Sequence, residues 1–268
     1  MKRYLLLITA VLLLISCVGS SNHVQGDITG EIPTTQTDTP VTPTPTQTPQ
    51  AAAQSTEPAA TPTPETLLHS GLRDDGSFSS GTLFIGDSLT YIFAGSYLPD
   101  SGLLGEAKYT AQCGSQVTAF FSSTVLEPRS RMIAGYSEEF EGMKFYDAAA
   151  SFGKDAKAIY IMWGTNFTPD ATKDTYIEII DFLLENCPNA TIHLQTIPHG
   201  NVKYTIVNQR IADAYDHYQQ IGEPRVLLID TYTAIGKHTF DGVHLDQTGN
   251  RNWYEAIIEH AKINNLSE

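Results

Sequence analysis

Five short runs of apolar, β-branched or aromatic residues recur along the second part of this chain: Thr82–Ile85, Lys108–Ala111, Ala158–Trp163, Thr191–Thr196 and Val226–Ile229. Most are near-continuous rather than alternating, which is the pattern of strands buried on both faces. Between them the apolar positions change period. Tyr176, Ile179, Ile180, Leu183 and Leu184 fall at helical spacing, as do Val207, Ile211, Ala214, Tyr215 and Tyr218, and then Tyr254, Ile257, Ile258 and Ala261. Weaker helical signals cover Gln116–Leu126 and Glu138–Phe152. Alternation of strand and helix predicts an α/β fold, a three-layer α/β/α sandwich around a five-stranded parallel sheet. No internal repeat is visible.

Ligands of such sheets sit beyond the carboxyl ends of the strands. Ser88 follows the first run, Gly114 the second, Asn166 the third and Pro198-His199 the fourth, while Asp241 and His244 lie beyond the fifth. One edge therefore collects the polar candidates.

The first quarter of the chain reads differently. Met1-Lys2-Arg3 is a basic start to an apolar run, Tyr4 to Ile15, that is short for a bilayer span and laid out like an export signal. It ends in Leu14-Ile15-Ser16-Cys17, which resembles a bacterial lipoprotein signal with Cys17 as the lipidated residue; the other reading is a cleavable signal with a chance cysteine. Two or more acyl chains on Cys17 would give stable anchoring. From Gly19 to Glu65 the sequence is rich in Thr, Pro, Gln and Ala and has no Lys or Arg, so it buries too little to offset chain entropy and reads as an extended tether. The expected organisation is a signal over 1–16, a tether over 17–66 and one catalytic domain over 67–268.

A net charge of −14 disfavours nucleic acid and gives no support for an anionic membrane surface as partner; the expected membrane contact is the lipid anchor. Cys113 and Cys187 could pair in an exported protein, but two cysteines give no framework, and the first reading is separate buried thiols. No cluster has metal-ligand spacing and no glycine-rich phosphate loop occurs, so no cofactor is expected.

A serine hydroxyl needs a base, and the base needs a third group to fix its tautomer. The chain offers Gly86-Asp87-Ser88-Leu89 and, far along, Asp241-Gly242-Val243-His244. Each is ambiguous alone, since Gly, Asp and Ser suit any strand-to-helix turn. Together with Gly114 in Gln112-Cys113-Gly114-Ser115, Trp163-Gly164-Thr165-Asn166, Thr196-Ile197-Pro198, and Gly249 and Trp253 after Leu245, they resemble the SGNH (GDSL) hydrolase family over about residues 80 to 265. The nucleophile does not stand in a Gly-x-Ser-x-Gly elbow.

The resemblance implies a flavodoxin-like fold with Ser88 as nucleophile, His244 as general base and acid, and Asp241 as its orienting carboxylate. It also implies an oxyanion hole from the Ser88 and Gly114 backbone N–H groups and the Asn166 amide. Phe167 stands where the family often has Asp, so an altered pocket lining is expected there. His199, on the same edge, is a further candidate for substrate contact. Tyr136, Phe140, Phe145 and Tyr146 read as helix packing rather than as a substrate wall. His193 reads as structural, and His217 and His260 as solvated. The implied activity is hydrolysis of small acyl esters, acetyl above all, on carbohydrate. Its rivals are a lipase or lysophospholipase, an O-acyltransferase, and a non-catalytic glycan-binding surface lipoprotein.

Overall fold

The computed structural model describes residues 67–122, 134–198 and 202–268. The signal-like run, Cys17, the tether and His199 lie outside the described residues. Five parallel strands form where the apolar runs stand: β1 (Thr82–Gly86), β2 (Lys108–Gln112), β4 (Ala158–Met162), β5 (Thr191–Gln195) and β6 (Val226–Ile229). A short edge strand, β3 (Ala134–Tyr136), adds antiparallel to β2 and extends the sheet to the order β3-β2-β1-β4-β5-β6. The apolar runs carried no signal for it, because its pairing rests on backbone hydrogen bonds rather than on an apolar face.

The helices are α1 (Ser88–Ile92), α2 (Phe145–Phe152), α3 (Lys173–Asn186), α4 (Val202–Ile221), α5 (Thr231–Ile235) and α6 (Gln247–Ile263). A π-type turn, Phe93–Tyr97, prolongs α1. Helix α3 starts with reciprocal hydrogen bonds between Thr172 and Thr175, and Asp246 caps α6 by accepting from the Gly249 N–H at 2.8 Å. The predicted stripes face inward: Tyr176, Ile179, Ile180 and Leu183 on α3 and Val207, Ile211, Ala214 and Tyr218 on α4 are buried. Helices α3 and α4 pack together, while α6 lies against the π-type turn through the stacked rings of Phe93 and Trp253, centroids 4.0 Å apart.

Two weaker helical expectations are corrected. In Gln116–Leu126 only a 3-10 turn forms, Val117–Phe121, and the end of that stretch lies outside the described residues. Its β-branched, aromatic and hydroxyl residues are poor helix formers. Glu138–Phe152 divides at Gly142 into a 3-10 turn, Glu138–Phe140, and α2.

The sheet row Phe84, Tyr160, His193 is in register across β1, β4 and β5, and its rings stack face to face at 5.1 and 4.4 Å. Below it the chain enters the domain through a clasp. His69 pairs with Ser267, the Ser70 N–H donates to the Ser267 carbonyl at 2.8 Å, and the Tyr160 hydroxyl donates to the Ser70 carbonyl at 2.6 Å. No helix among the described residues is long and apolar enough to cross a membrane.

The order β2-β1-β4-β5-β6 is the flavodoxin-like winding, which reverses between β1 and β4. The carboxyl ends of those two strands mark the switch point of the winding, with Ser88 two residues past β1 and Asn166 in the loop after β4.

Candidate active site

Gly86 ends β1 where no side chain fits: a Cβ there would stand 2.1 Å from the Met162 carbonyl oxygen. The strand can thus close onto β4 before the chain turns into α1. Asp87 caps that helix, its carboxylate accepting from the Leu89 N–H at 3.1 Å, and Ser88 occupies the first helical position. The nucleophile candidate is thereby held by a strand, a close packing contact and a cap.

The other half comes from the loop between α5 and α6. The Asp241 carboxylate folds back onto its own loop, with Oδ1 accepting from the N–H groups of Val243 at 2.9 Å and His244 at 2.7 Å. Its Oδ2 meets His244 Nδ1 at 2.6 Å, and His244 Nε2 lies 3.0 Å from Ser88 Oγ. A carboxylate only accepts, so Nδ1 carries the proton and Nε2 presents a lone pair to the serine hydroxyl. Ser88 and His244 are each 3% exposed, while the Asp241 side chain is 26% exposed. Partial burial raises the Asp241 pKa, but the hydrogen bonds from the His244 ring and from the His244 and Val243 backbones outweigh it and leave the group below its ordinary value. The ring of Phe240, half exposed, lies over the imidazole at 5.8 Å and 20°.

Gly114 has φ +74°, which glycine adopts without strain, and it opens the turn after β2. The next residue ties that turn to the loop after β4: the Ser115 carbonyl accepts from Asn166 Nδ2 at 3.0 Å and from Trp163 Nε1 at 3.3 Å. An amide nitrogen has two hydrogens, so Asn166 keeps one for a substrate oxygen. An uncharged amide donates without any change of protonation, and donors of this kind in acyl-transfer sites supply on the order of 3 kcal/mol of transition-state stabilisation.

Asp87 is the site residue that sequence reasoning left as a mere turn former. It is fully buried, and beyond its capping bond it reaches across to the loop after β4. It accepts from Gly164 N–H at 3.2 Å, Thr165 N–H at 2.9 Å and Thr165 Oγ1 at 3.3 Å. Burial pushes its pKa up and the hydrogen bonds oppose that. All four partners are donors, the complement of an ionised carboxylate. Asp87 thus pins the residues just before Asn166 to the turn that carries Ser88. Phe167, in the position expected to alter the pocket, is half-buried with the Arg210 guanidinium 5.3 Å from its ring centroid, and Arg210 also donates to the Thr168 carbonyl at 3.2 Å. The loop is therefore held by Asp87 on one side and by α4 on the other.

Other expectations sort simply. Phe140 and Phe145 are buried, and Tyr146 packs against Phe121 and Phe182, so these rings pack the helical layer. Cys113 and Cys187 form no disulfide with each other. His193 is buried, as its place in a strand implied. His260 is corrected: it meets His193 edge-on at 5.5 Å instead of standing in solvent, because it lies three and seven residues beyond Ile257 and Trp253 on the packed stripe. His217 is half-buried against Tyr218. Among the described residues no group of three or more His, Cys, Asp or Glu could hold a metal ion.

A scan against protein-family models and a comparison with curated proteins return no match. Among solved structures the chain is similar to a family two carbohydrate esterase from Clostridium thermocellum in complex with cellohexaose, with 12% identity over 68% of this chain and 63% of that one, at a TM-score of 0.46. It is also similar to an acetyl xylan esterase, with 16% identity over 67% of this chain and 98% of that one, at a TM-score of 0.46. A third is a carbohydrate esterase of family 3 from Talaromyces cellulolyticus, with 18% identity over 69% of this chain and 99% of that one, at a TM-score of 0.41. At these values the chemistry has to be read from the site itself.

Proposed function

We propose that this chain is a serine ester hydrolase of the SGNH type, acting on small acyl esters of carbohydrate. The observation that carries the reading is the unbroken relay from Asp241 Oδ2 to His244 Nδ1 at 2.6 Å and from His244 Nε2 to Ser88 Oγ at 3.0 Å. In it, His244 takes the hydroxyl proton as Ser88 Oγ attacks the ester carbonyl, and Asp241 stabilises the imidazolium that forms. The Ser88 and Gly114 N–H groups and the Asn166 amide receive the developing oxyanion. His244 then hands its proton to the leaving alcohol. Water, activated by the same imidazole, releases the acid from the Ser88 acyl-enzyme. The choice of a small acyl group, acetyl above all, follows from the family resemblance of the Ser88, Gly114, Asn166 and Asp241–His244 segments.

On this reading the domain is exported and held at the outer face of the cell membrane by lipid on Cys17, with 17–66 as tether. Labelled palmitate incorporated by the full chain and lost in Cys17→Ala would support the anchor.

The test of the activity is hydrolysis of p-nitrophenyl acetate, butyrate and octanoate beside Ser88→Ala. We expect the acetate to be preferred and Ser88→Ala to lower kcat at least about 10⁴-fold. Turnover that survives the substitution would sink the reading. Preference for octanoate would move the substrate to lipids.

A further inference from the structure

Along the same sheet edge, a cleft of about 300 Å³ opens between α4 and the start of α5, walled by Thr205, Asn208 and Gln209 on one side and Asp230, Tyr232 and Thr233 on the other. Its floor is fixed. The Asn208 amide accepts from the Ile197 N–H at 2.6 Å and donates to the Ile197 carbonyl at 3.0 Å, locking α4 to the end of β5. Opposite, Thr196 Oγ1 donates to Asp230 Oδ1 at 3.2 Å and accepts from the Tyr232 N–H at 2.9 Å, and the Thr231 hydroxyl donates to the Thr196 carbonyl. Both walls thus hang from Thr196 and Ile197, and the cleft is formed before any ligand arrives.

What the walls present is selective. Asp230 Oδ1 is occupied by Thr196 and by the Thr233 N–H at 3.2 Å, and its carboxylate stands at the surface. Gln209 sends its Nε2 to Asp213 at 2.8 Å, which leaves its carbonyl oxygen as the acceptor. Tyr232, beside them, is 38% exposed. Carboxylate and amide oxygens with threonine hydroxyls suit the hydroxyl donors of a polyol, and an exposed aromatic face suits the C–H face of a sugar ring. Among the described lining residues there is no Lys or Arg, which disfavours phosphate and other anions, and Ala212 is the single aliphatic one, which disfavours an acyl chain. The volume is at the lower end for ligand sites and matches one ring with its water.

Helix α4, which forms one wall of the cleft, also packs on the loop that carries Asn166: a Cβ on Gly164 would stand 2.6 Å from Val207 Cγ1, and Arg210 donates to the Thr168 carbonyl at 3.2 Å. The cleft and the loop after β4 thus share one helix on the same sheet edge.

We propose that this cleft is a subsite for a neutral sugar ring belonging to the alcohol half of the ester. The inference rests on the carbohydrate-ester reading and names where the carbohydrate is held. The test takes the full chain carrying Ser88→Ala, which needs no turnover, and titrates it with unsubstituted xylotriose and cellotriose by NMR, with and without Tyr232→Ala and Gln209→Ala. Saturable binding to one of them, weakened about tenfold by Tyr232→Ala, is expected. No binding of either, or binding indifferent to both substitutions, overturns the subsite. In the catalytically intact chain, Tyr232→Ala should lower kcat/KM on acetylated xylotriose about tenfold more than on p-nitrophenyl acetate, chiefly through KM. Equal losses on both substrates also overturn it. Failure of the esterase reading shows separately, as absence of Ser88-dependent turnover on any ester.

Discussion

Two histidines in this molecule sit at hydrogen-bonding extremes of the same sheet. His244, on the carboxyl edge, has a carboxylate behind Nδ1 and a hydroxyl in front of Nε2. His193, inside β5, is stacked on Tyr160, and its Nε2 faces the His69 carbonyl at 2.8 Å. A carbonyl only accepts, so Nε2 carries the proton and Nδ1 is left bare, with no partner among the described residues. The two rings thus hold opposite tautomers. One can take a proton because an anion waits behind it. The other, buried with no counter-charge, is driven down to about 3 by desolvation first and by the neighbouring His260 second. Residue type alone does not make a base; the partner on the far nitrogen does.

The sharpest way to break that contrast is to exchange the losses. His244→Ala should lower kcat on p-nitrophenyl acetate about 10⁴-fold at a stability cost of about 1 to 2 kcal/mol, from the lost ring and the Asp241 hydrogen bond. His193→Ala should leave kcat within about threefold and cost about 3 kcal/mol, through a cavity beside Tyr160 and an unsatisfied His69 carbonyl. Urea unfolding and initial rates on both variants check it. A His193 variant that is stable but inactive would overturn the division.

The next effect concerns how the active edge is held. Asp87→Asn keeps size and shape, yet its amide N–H₂ must face either the Gly164 and Thr165 N–H groups or the Leu89 N–H, where the carboxylate accepted from all three. As a positioning residue, Asp87 should show this as a fall of about 10²-fold in kcat with KM nearly constant, since Asn166 would lose its register with Ser88 in the transition state more than in the bound substrate. A larger change in KM than in kcat would assign Asp87 to binding instead, and an unaltered kcat would leave it a cap only.

These residues also show what the sequence could reveal. The five parallel strands were legible because each is a near-continuous apolar run, and Ser88, Asp241 and His244 because their residue types and order match one chemistry. Strand β3 was not, since Ala134-Gly135-Tyr136 carries no run. Asp87 was legible only as a cap. Its second role exists because β4 lies beside β1, a fact of winding order and not of local sequence. His260 was misread although its spacing from Trp253 and Ile257 placed it on the packed stripe, because polar type was given more weight than position. The Tyr232 cleft joins side chains of α4 to the end of β6, and no short window contains both walls.

The smallest effect tests the buried histidine by its pH dependence. An unfolded histidine titrates near 6.5, whereas His193 is pushed down to about 3 and His260, by burial, to about 4. Between those values the unfolded chain binds more protons than the folded one, so stability rises with pH there and is lost as pH falls from about 6.5. At pH 5 the His193 part amounts to about 2 kcal/mol, at 1.36 kcal/mol per unit. His260 acts in the same sense, and its part is smaller because the residue is only half-buried. Asp87 acts in the opposite sense: its raised pKa makes the folded chain hold a proton longer and softens the acid loss. The depressed carboxylate of Asp241 begins to lose its contribution only as pH falls through about 3.8 and is lost through its own lowered range, below the interval from pH 7 to pH 5. A difference measurement removes both. His193→Phe keeps a ring against Tyr160 and deletes the titration, so between pH 7 and pH 5 the wild-type chain should lose about 2 kcal/mol more than the variant in urea unfolding. Parallel curves would mean that the His193 ring is protonated in the fold, and the contrast with His244 would fail at its base.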